Sequence, residues 1–370
     1  MSLIRATATI GSFTLLSRIA GFVRDVLQAT LLGAGLAADA FLIAQRLPNL
    51  FRALFAEGAL AAAFVPMLNQ RIGGENGSLD SARRFAESVL AVLLPFLLLF
   101  TVVMVVAAAP VVWALTGGFP DAAPGKFALT VHFTRLTFPY LMLISLVSLL
   151  GGLLNSVGRF AVNAAAPILL NLVLIAGLLF STGNDEVAVA GVQALCVTLG
   201  GIAQLIWLMW SCSRAGFGLR LRLPRLTPEV KTLLRLIVPA ALGAGAVQIN
   251  LLISTALAAR FLGEGAVSWL YYADRLNQLP LGIIGIGVGT ALLPAMSRLL
   301  AAGDSNAALG QQNRAIELVL LLTLPAAAGL ALVAEPIIAV LFQHGAFTAT
   351  DTARQRRRWQ PLRSACRPMC

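Results

Sequence analysis

The chain has 370 residues, of which 58% are hydrophobic and only 12% charged, with a mean hydropathy of +0.86. Soluble domains average about 25% charged residues, so the composition excludes an ordinary water-soluble domain and predicts an all-α polytopic membrane protein. The formal charge of +11 raises nucleic acid and anionic lipid as partners, while the four cysteines have no metal-ligand or disulfide spacing and supply no redox or cofactor argument.

The N-terminus, MSLIRATATI, runs straight into a long segment. It lacks the short apolar core and small-residue cleavage site of a signal peptide. Runs long enough to cross a bilayer, about 20 residues each, lie near 3–32, 36–68, 85–115, 128–155, 160–181, 187–212, 232–262, 266–300 and 313–343. Several exceed the minimum, which implies tilt, bends or extension beyond the bilayer. Pro48, Pro66, Pro139, Pro167, Pro239, Pro280 and Pro294 sit inside or at the ends of these runs. Such prolines are tolerated where neighbours or water satisfy the freed carbonyls.

The first two spans are unusual. Between Ser17 and Pro66 they carry Arg18, Arg24, Asp25, Asp39, Arg46, Arg52 and Glu57. A charge near the bilayer centre costs about 2.5–3.5 kcal/mol on insertion scales, so these groups must face a hydrated cavity or pair with one another. Arginines outnumber acids here, and a cationic cavity suits an anionic substrate. The chain reads as a transporter with a polar interior. Arg18 and Asp25 share one helical face, whereas Arg24 projects about 100° from Asp25. For any single pair, a purely structural Arg–Asp clamp between helices is the alternative.

Loop cations set the orientation. With the N-terminus cytoplasmic, the cytoplasmic loops and helix ends carry Arg71, Arg83, Arg84, Arg159, Arg214, Arg220, Arg222, Arg225, Lys231, Arg235, Arg298 and Arg314, against Lys126 alone on the other side. The surplus charge is therefore a cytoplasmic bias, and the nucleic-acid reading falls. The stretch 213–231 (SRAGFGLRLRLPRLTPEVK) is a basic linker between an N-lobe, residues 1–212 with six spans, and a partial C-lobe, residues 232–352 with about three. Its alternating Leu and Arg could also lie along an anionic leaflet surface. A repeat supports the division: LLGAG at 31–35 is echoed by FLGEG at 261–265, and Arg46-Leu47 by Arg275-Leu276. Gly58-Ala59-Leu60 is echoed by Gly289-Thr290-Ala291, and Phe64-Val65-Pro66-Met67 by Leu292-Leu293-Pro294-Ala295. The offset stays between 228 and 231 residues, as expected for parallel repeats about an axis along the membrane normal. Residues 353–370 change character, with six arginines, no acid and two of the four cysteines. Two readings stand for this tail: a lipid- or partner-binding segment, or non-native sequence from a frameshift, which we favour.

The motifs SRIAGFVRD, GAG..ADAF, RLPNLFR.LFAEGA...AFVP and YYADRLNQLPLGIIGIGVGTALLP resemble the MurJ (MviN) family of lipid II flippases, relatives of the MATE drug exporters. The resemblance covers residues 1–352. It implies a MATE-like two-lobe transporter fold of fourteen helices, here a complete six-helix N-lobe with three C-lobe helices and the last five missing. It implies flipping of the undecaprenyl-pyrophosphate-linked peptidoglycan precursor, lipid II, between leaflets of the bacterial cytoplasmic membrane by alternating access. Matched by motif position, Arg18, Arg24, Arg52 and Arg275 would engage the pyrophosphate, since guanidinium forks fit phosphate oxygens. Asp25, Asp39, Glu57 and Asp274 would pair with those arginines or carry gate and coupling contacts, with Ser17 a hydroxyl donor beside Arg18. Implied partners are lipid II, membrane lipids and cell-wall synthesis or division proteins. The energy source is left between a cation gradient and the membrane potential.

Three other functions compete. Export of a different lipid-linked sugar or amphiphile keeps the same fold, although a cation exporter would want an acidic, aromatic-lined cavity. A membrane enzyme would need a nucleophile or base with a His or metal partner, and no such set is present in the sequence. An inactive truncated copy is the third. Asn163, Asn171, Gln204, Gln248 and Asn250 read as interhelical hydrogen-bonding groups, and Gly282, Gly285, Gly287 and Gly289 as close-packing positions.

Overall fold

The computed structural model describes residues 3–53, 60–74, 78–119, 125–280, 292, 296–300 and 302–352. Every regular element among them is helical. In chain order these are α1 (Leu3–Leu32), α2 (Leu36–Phe51), α3 (Ala61–Gly73), α4 (Leu79–Val106), α5 (Ala108–Thr116), α6 (Lys126–Thr137) and α7 (Pro139–Ser156). There follow α8 (Phe160–Phe180), α9 (Glu186–Arg214), α10 (Pro228–Phe261), α11 (Ala266–Pro280) and α12 (Ser305–Phe342). The predicted spans are recovered with breaks. The span near 85–115 divides into α4 and α5 at Ala107 (φ −82°, ψ 14°). Pro110, three residues on, has no N–H for the Val106 carbonyl, which favours a break there. The span near 128–155 divides into α6 and α7 just before Pro139, which occupies the first helical position where its missing N–H costs nothing.

Helix starts follow local chemistry. Ser78 caps α4 by accepting from the Ser81 N–H at 3.0 Å, and Thr227 caps α10 by accepting from Val230, with Pro228 behind it. Asp304 caps α12 through the Ala307 N–H at 2.9 Å. α2 begins at Leu36 and α11 at Ala266, within the offset of the sequence repeat. The repeat glycines 282–289 and most of the segment matched to 64–67 lie outside the described residues.

Among the described residues, five helical segments are long and apolar enough to cross a membrane: Leu79–Val106, Lys126–Ser156, Phe160–Phe180, Glu186–Arg214 and Ser305–Leu330. α1 is equally long but carries Arg5, Arg18, Arg24 and Asp25. Leu98, Leu99, Val102, Val103 and Val106 of α4 are exposed, as a lipid-facing surface requires. The chain is an all-α, multi-pass membrane protein.

Two compact units are present, Met1–Val267 and Ser268–Cys370. In the first, α1 packs along α8, α8 along α9, α9 along α7, and α2 along α6. Small residues set these distances. A Cβ on Gly201 of α9 would stand 2.8 Å from the Tyr140 ring of α7, and one on Gly200 would collide with Leu170 of α8. Close helix approach through glycine is the usual packing device where lipid supplies no hydrophobic drive between helices. An aromatic cluster fills the centre: Phe51 meets Phe100 edge-on at 5.1 Å, and both lie against Phe138, which is fully buried beside Leu47 and Leu141. In the second unit Tyr272 of α11 packs against Phe342 and Phe347.

Candidate functional site

α1 places its polar groups on a face turned toward α8. Arg24 and Asp25 are 8% and 1% exposed. The Arg24 guanidinium donates to one carboxylate oxygen of Asp25 twice, from Nε at 3.1 Å and Nη2 at 2.6 Å. Its Nη1 donates to Asn171 Oδ1 of α8 at 3.0 Å, and Asn171 Nδ2 donates back to the Ser17 carbonyl at 3.1 Å. Gly21 faces this bridge, and a Cβ there would meet the Asn171 amide at 3.5 Å, an ordinary contact distance. Adjacent residues therefore form the pair, not residues a heptad apart. Projection by 100° describes Cβ directions, and the long arginine side chain curls back across that angle.

Toward the N-terminus of the same helix, Ser17 and Arg18 line a cavity of about 250 Å³ with Asn155 of α7 and Asn163 of α8. Arg18 is exposed and has no hydrogen-bond partner among the described residues. The lining otherwise includes Ile10, Thr14, Phe160 and Pro167. Ser17 and Arg18, then Asn171, then Arg24 and Asp25 form one polar track along α1. Leu15, Leu16, Ile19 and Val23 are exposed on the same helix and supply its apolar surface.

The other predicted residues divide. Asp39 lies in the first turn of α2, 1% exposed, and its Oδ2 accepts from Lys126 Nζ at 3.0 Å and from the Gly265 N–H at 2.9 Å. A lysine outside the arginines named from the motifs thus supplies a cation to Asp39. The pairing moves Lys126 from a loop cation to the buried first residue of α6, 3% exposed. Half-buried Arg52 donates from Nε to Asn49 Oδ1 at 3.3 Å. In the second unit Arg275 donates to Gln278 Oε1 at 3.0 Å and to the Tyr271 hydroxyl at 2.9 Å, while Gln278 donates to Asp274 at 2.7 Å. Asp274 is thus held by a glutamine of its own helix and not by an arginine. Glu57 lies outside the described residues.

Two polar residues escaped the sequence reading. Glu87 of α4 has no exposed surface; it receives Arg222 Nε at 2.6 Å, the Arg220 N–H at 3.1 Å and Arg83 Nε at 3.2 Å. Its signal was an isolated acid at the start of an apolar span, the same kind of signal that singled out Asp39. Gln193 donates to the Leu174 carbonyl at 3.0 Å, beside the anticipated interhelical bonds of Asn171 and of Gln204 to Ala166 at 2.8 Å. Cys196 and Cys212 are both buried on α9 as small apolar residues. Among the described residues no cluster of three His, Cys, Asp or Glu stands where it could hold a metal ion.

The family model described as "Lipid II flippase MurJ" matches residues 28–357. A probable lipid II flippase MurJ of Rhizobium tropici is 47% identical over 355 residues, covering 95% of this chain and 66% of that relative. The corresponding protein of Vibrio cholerae is 38% identical, covering 94% and 67%. The chain thus spans about two thirds of the length of the curated relatives it matches. Among solved structures, a lipid II flippase MurJ in an inward closed conformation superposes with a TM-score of 0.79 at 24% identity, over 94% of this chain and 70% of that one. An inward-facing multidrug MATE transporter of the MOP superfamily reaches 0.76 at 16%, over 95% and 79%. Identities this low speak for the fold alone: the MATE-like fold expected from the motifs.

Proposed function

Because the chain belongs to the MurJ family of lipid II flippases, we propose that it carries the arginine-bearing part of a flippase for lipid II, the polyprenyl-pyrophosphate-linked peptidoglycan precursor. The observation that carries this reading is the polar track on α1, and above all Arg18. That guanidinium opens onto a cavity whose Ser17, Asn155 and Asn163 neighbours offer hydrogen bonds but no negative charge. A pyrophosphate supplies the missing charge in the geometry a planar guanidinium matches. Arg24, fixed by Asp25 and Asn171, contributes a pre-oriented positive charge farther along the helix. Arg52 and Arg275 are proposed as further phosphate contacts during the cycle, with Asp39, Asp274 and Glu57 serving in ion pairs or gating. Alternating access exposes the cationic cavity first to one leaflet and then to the other. The cation asymmetry of the loops supports a cytoplasmic N-terminus and therefore inward loading. Cell-wall synthesis proteins are the partners such a reaction calls for.

The test replaces Arg18 with Ala in the full-length protein and expresses it in cells depleted of their own flippase, with membrane abundance measured in parallel. A charge-assisted hydrogen bond contributes about 1.5–3 kcal/mol, so flipping falls roughly ten- to a hundredfold and the cells lyse. Normal growth with Arg18→Ala and also with Arg24→Ala would sink the proposal.

A further inference from the structure

The first unit contains a second cavity, well separated in chemistry from the arginine track. It measures about 430 Å³ and lies between α4, α7 and α9, with a floor of Leu90, Leu94, Leu146, Leu150 and Met209. Its roof is the linker, where Phe217, Gly218, Leu219 and Leu221 close over it. The volume is within the roughly 300–1,000 Å³ of small-molecule sites, yet apart from Cys212 and Ser213 the lining side chains are apolar.

The roof is fastened at both ends. Phe217 is buried and donates its N–H to the Cys212 carbonyl at 2.9 Å. Two turns into α4, Glu87 holds Arg222 and the Arg220 N–H. A fully buried carboxylate spent on an irregular loop fixes that loop in place, since releasing it would leave the charge unpaired.

The lining includes Ser213, Leu219 and Leu221, whose chain neighbours Arg214 and Arg220 are exposed cations. Arg214 stacks over the Trp210 ring at 4.5 Å, and Arg159 donates to the Arg214 carbonyl at 3.3 Å. Trp210 is 48% exposed, and tryptophan with arginine at one level is the pattern of a membrane–water interface. Arg220 is exposed on the roof, and Leu221 and Leu223 are 73% and 79% exposed, surfaces that only a bilayer covers well. An apolar slot opening at headgroup level beneath arginines has the polarity of a phospholipid, chain inside and phosphate at the rim.

We propose that this cavity binds one acyl chain of an anionic glycerophospholipid, whose phosphate rests on Arg214 and Arg220. Charge complementarity selects the anionic headgroup, because Glu87 is consumed within the fold and none of the lining residues is acidic. The site is independent of the flipped substrate, and lies on the linker face of the membrane.

Native mass spectrometry of the purified chain tests the proposal, with phosphatidylglycerol and phosphatidylcholine titrated separately. Wild type retains one phosphatidylglycerol in preference to phosphatidylcholine. Each arginine near an anionic headgroup contributes about fivefold, so R214Q/R220Q together lower phosphatidylglycerol affinity about thirtyfold and leave phosphatidylcholine unchanged. Leu94→Trp fills the slot and removes retention of both. Inorganic phosphate does not compete if the chain is required; competition would replace the lipid site with a simple anion site. Equal retention of the two lipids, or retention indifferent to R214Q/R220Q and Leu94→Trp, overturns the proposal. The unchanged phosphatidylcholine signal of R214Q/R220Q also reports that the variant is folded.

Discussion

Two buried ion pairs in the first unit have opposite designs. Arg24 and Asp25 are chain neighbours on α1, and their pairing brings no distant segment together. Lys126 and Asp39 join the start of α6 to the start of α2, and the Gly265 N–H adds the turn before α11 to the same carboxylate oxygen. The first arrangement orients a charge inside one helix. The second fastens three segments through the Asp39 carboxylate. Both need compensation for desolvation, but only the second makes the fold depend on it.

The largest effect therefore belongs to Lys126. Lys126→Ala leaves the Asp39 carboxylate buried without its cation, and removal of one partner of a buried pair costs about 3–5 kcal/mol. A marked fall in melting temperature in detergent is the expected outcome. Combining Lys126→Met with Asp39→Asn should restore most of it, since the amide oxygen still accepts from Gly265 and no charge remains. If Lys126→Ala melts like wild type, the pair does not fasten the segments and the contrast with Arg24–Asp25 disappears.

Asp25→Asn is expected to cost less, about 1.5–3 kcal/mol, the usual worth of hydrogen bonds to a charged group. Arg24 keeps its Asn171 contact, and an amide at position 25 still accepts one bond. Its damage should appear in flipping more than in stability, because the freed guanidinium loses its orientation. A variant that melts far earlier yet flips normally would reverse the roles assigned to the two pairs.

How much of this was legible in the sequence follows the same division between local and distant. The helical spans, the excess of charge in the first two of them and the bridging role of Asn171 are visible in composition and position along the chain. The Arg24–Asp25 contact falls among the arginine–acid pairs the motifs imply, but it was not singled out because a helical wheel tracks Cβ atoms, whereas arginine reaches well beyond its own. The Asp39–Lys126 pair was missed for another reason. Lys126 stands beside the loop TGGFPDAAPGK, and only packing of α6 on α2 turns a loop-edge cation into a buried one. Glu87 was overlooked likewise: its partners Arg220 and Arg222 come from a stretch more than a hundred residues later, read as a basic linker between lobes.

Glu87 stands between the two designs, buried like Asp39 but paired with an arginine whose side chain is 47% exposed. Glu87→Gln should destabilise by about 1 kcal/mol, the net worth of an ordinary hydrogen bond, because water can take over Arg222. The sharper readout is limited proteolysis: trypsin should cut faster after Arg220, Arg222 and Arg225 while the helical body stays intact. Unchanged cleavage would mean that the linker is held by Phe217 alone.

The smallest expected effects lie at two glycines facing asparagines across helix contacts. At Gly21 a Cβ would meet Asn171 at 3.5 Å, an ordinary van der Waals distance. Gly21→Ala therefore gains helix propensity without a clash and should stabilise by about 0.4–1 kcal/mol, leaving the Arg24 bridge in place. At Gly151 of α7 the added Cβ would overlap the Asn163 side chain. Asn163 lines the cavity that Arg18 shares, so relieving the overlap disturbs a wall of the site. Gly151→Ala should leave melting nearly unchanged while slowing flipping, and Gly21→Ala should raise melting with flipping intact. Equal behaviour of the two variants would mean that the Arg18 cavity has no part in moving the lipid, since its filling would then be as harmless as a methyl group on the rigid side of α1.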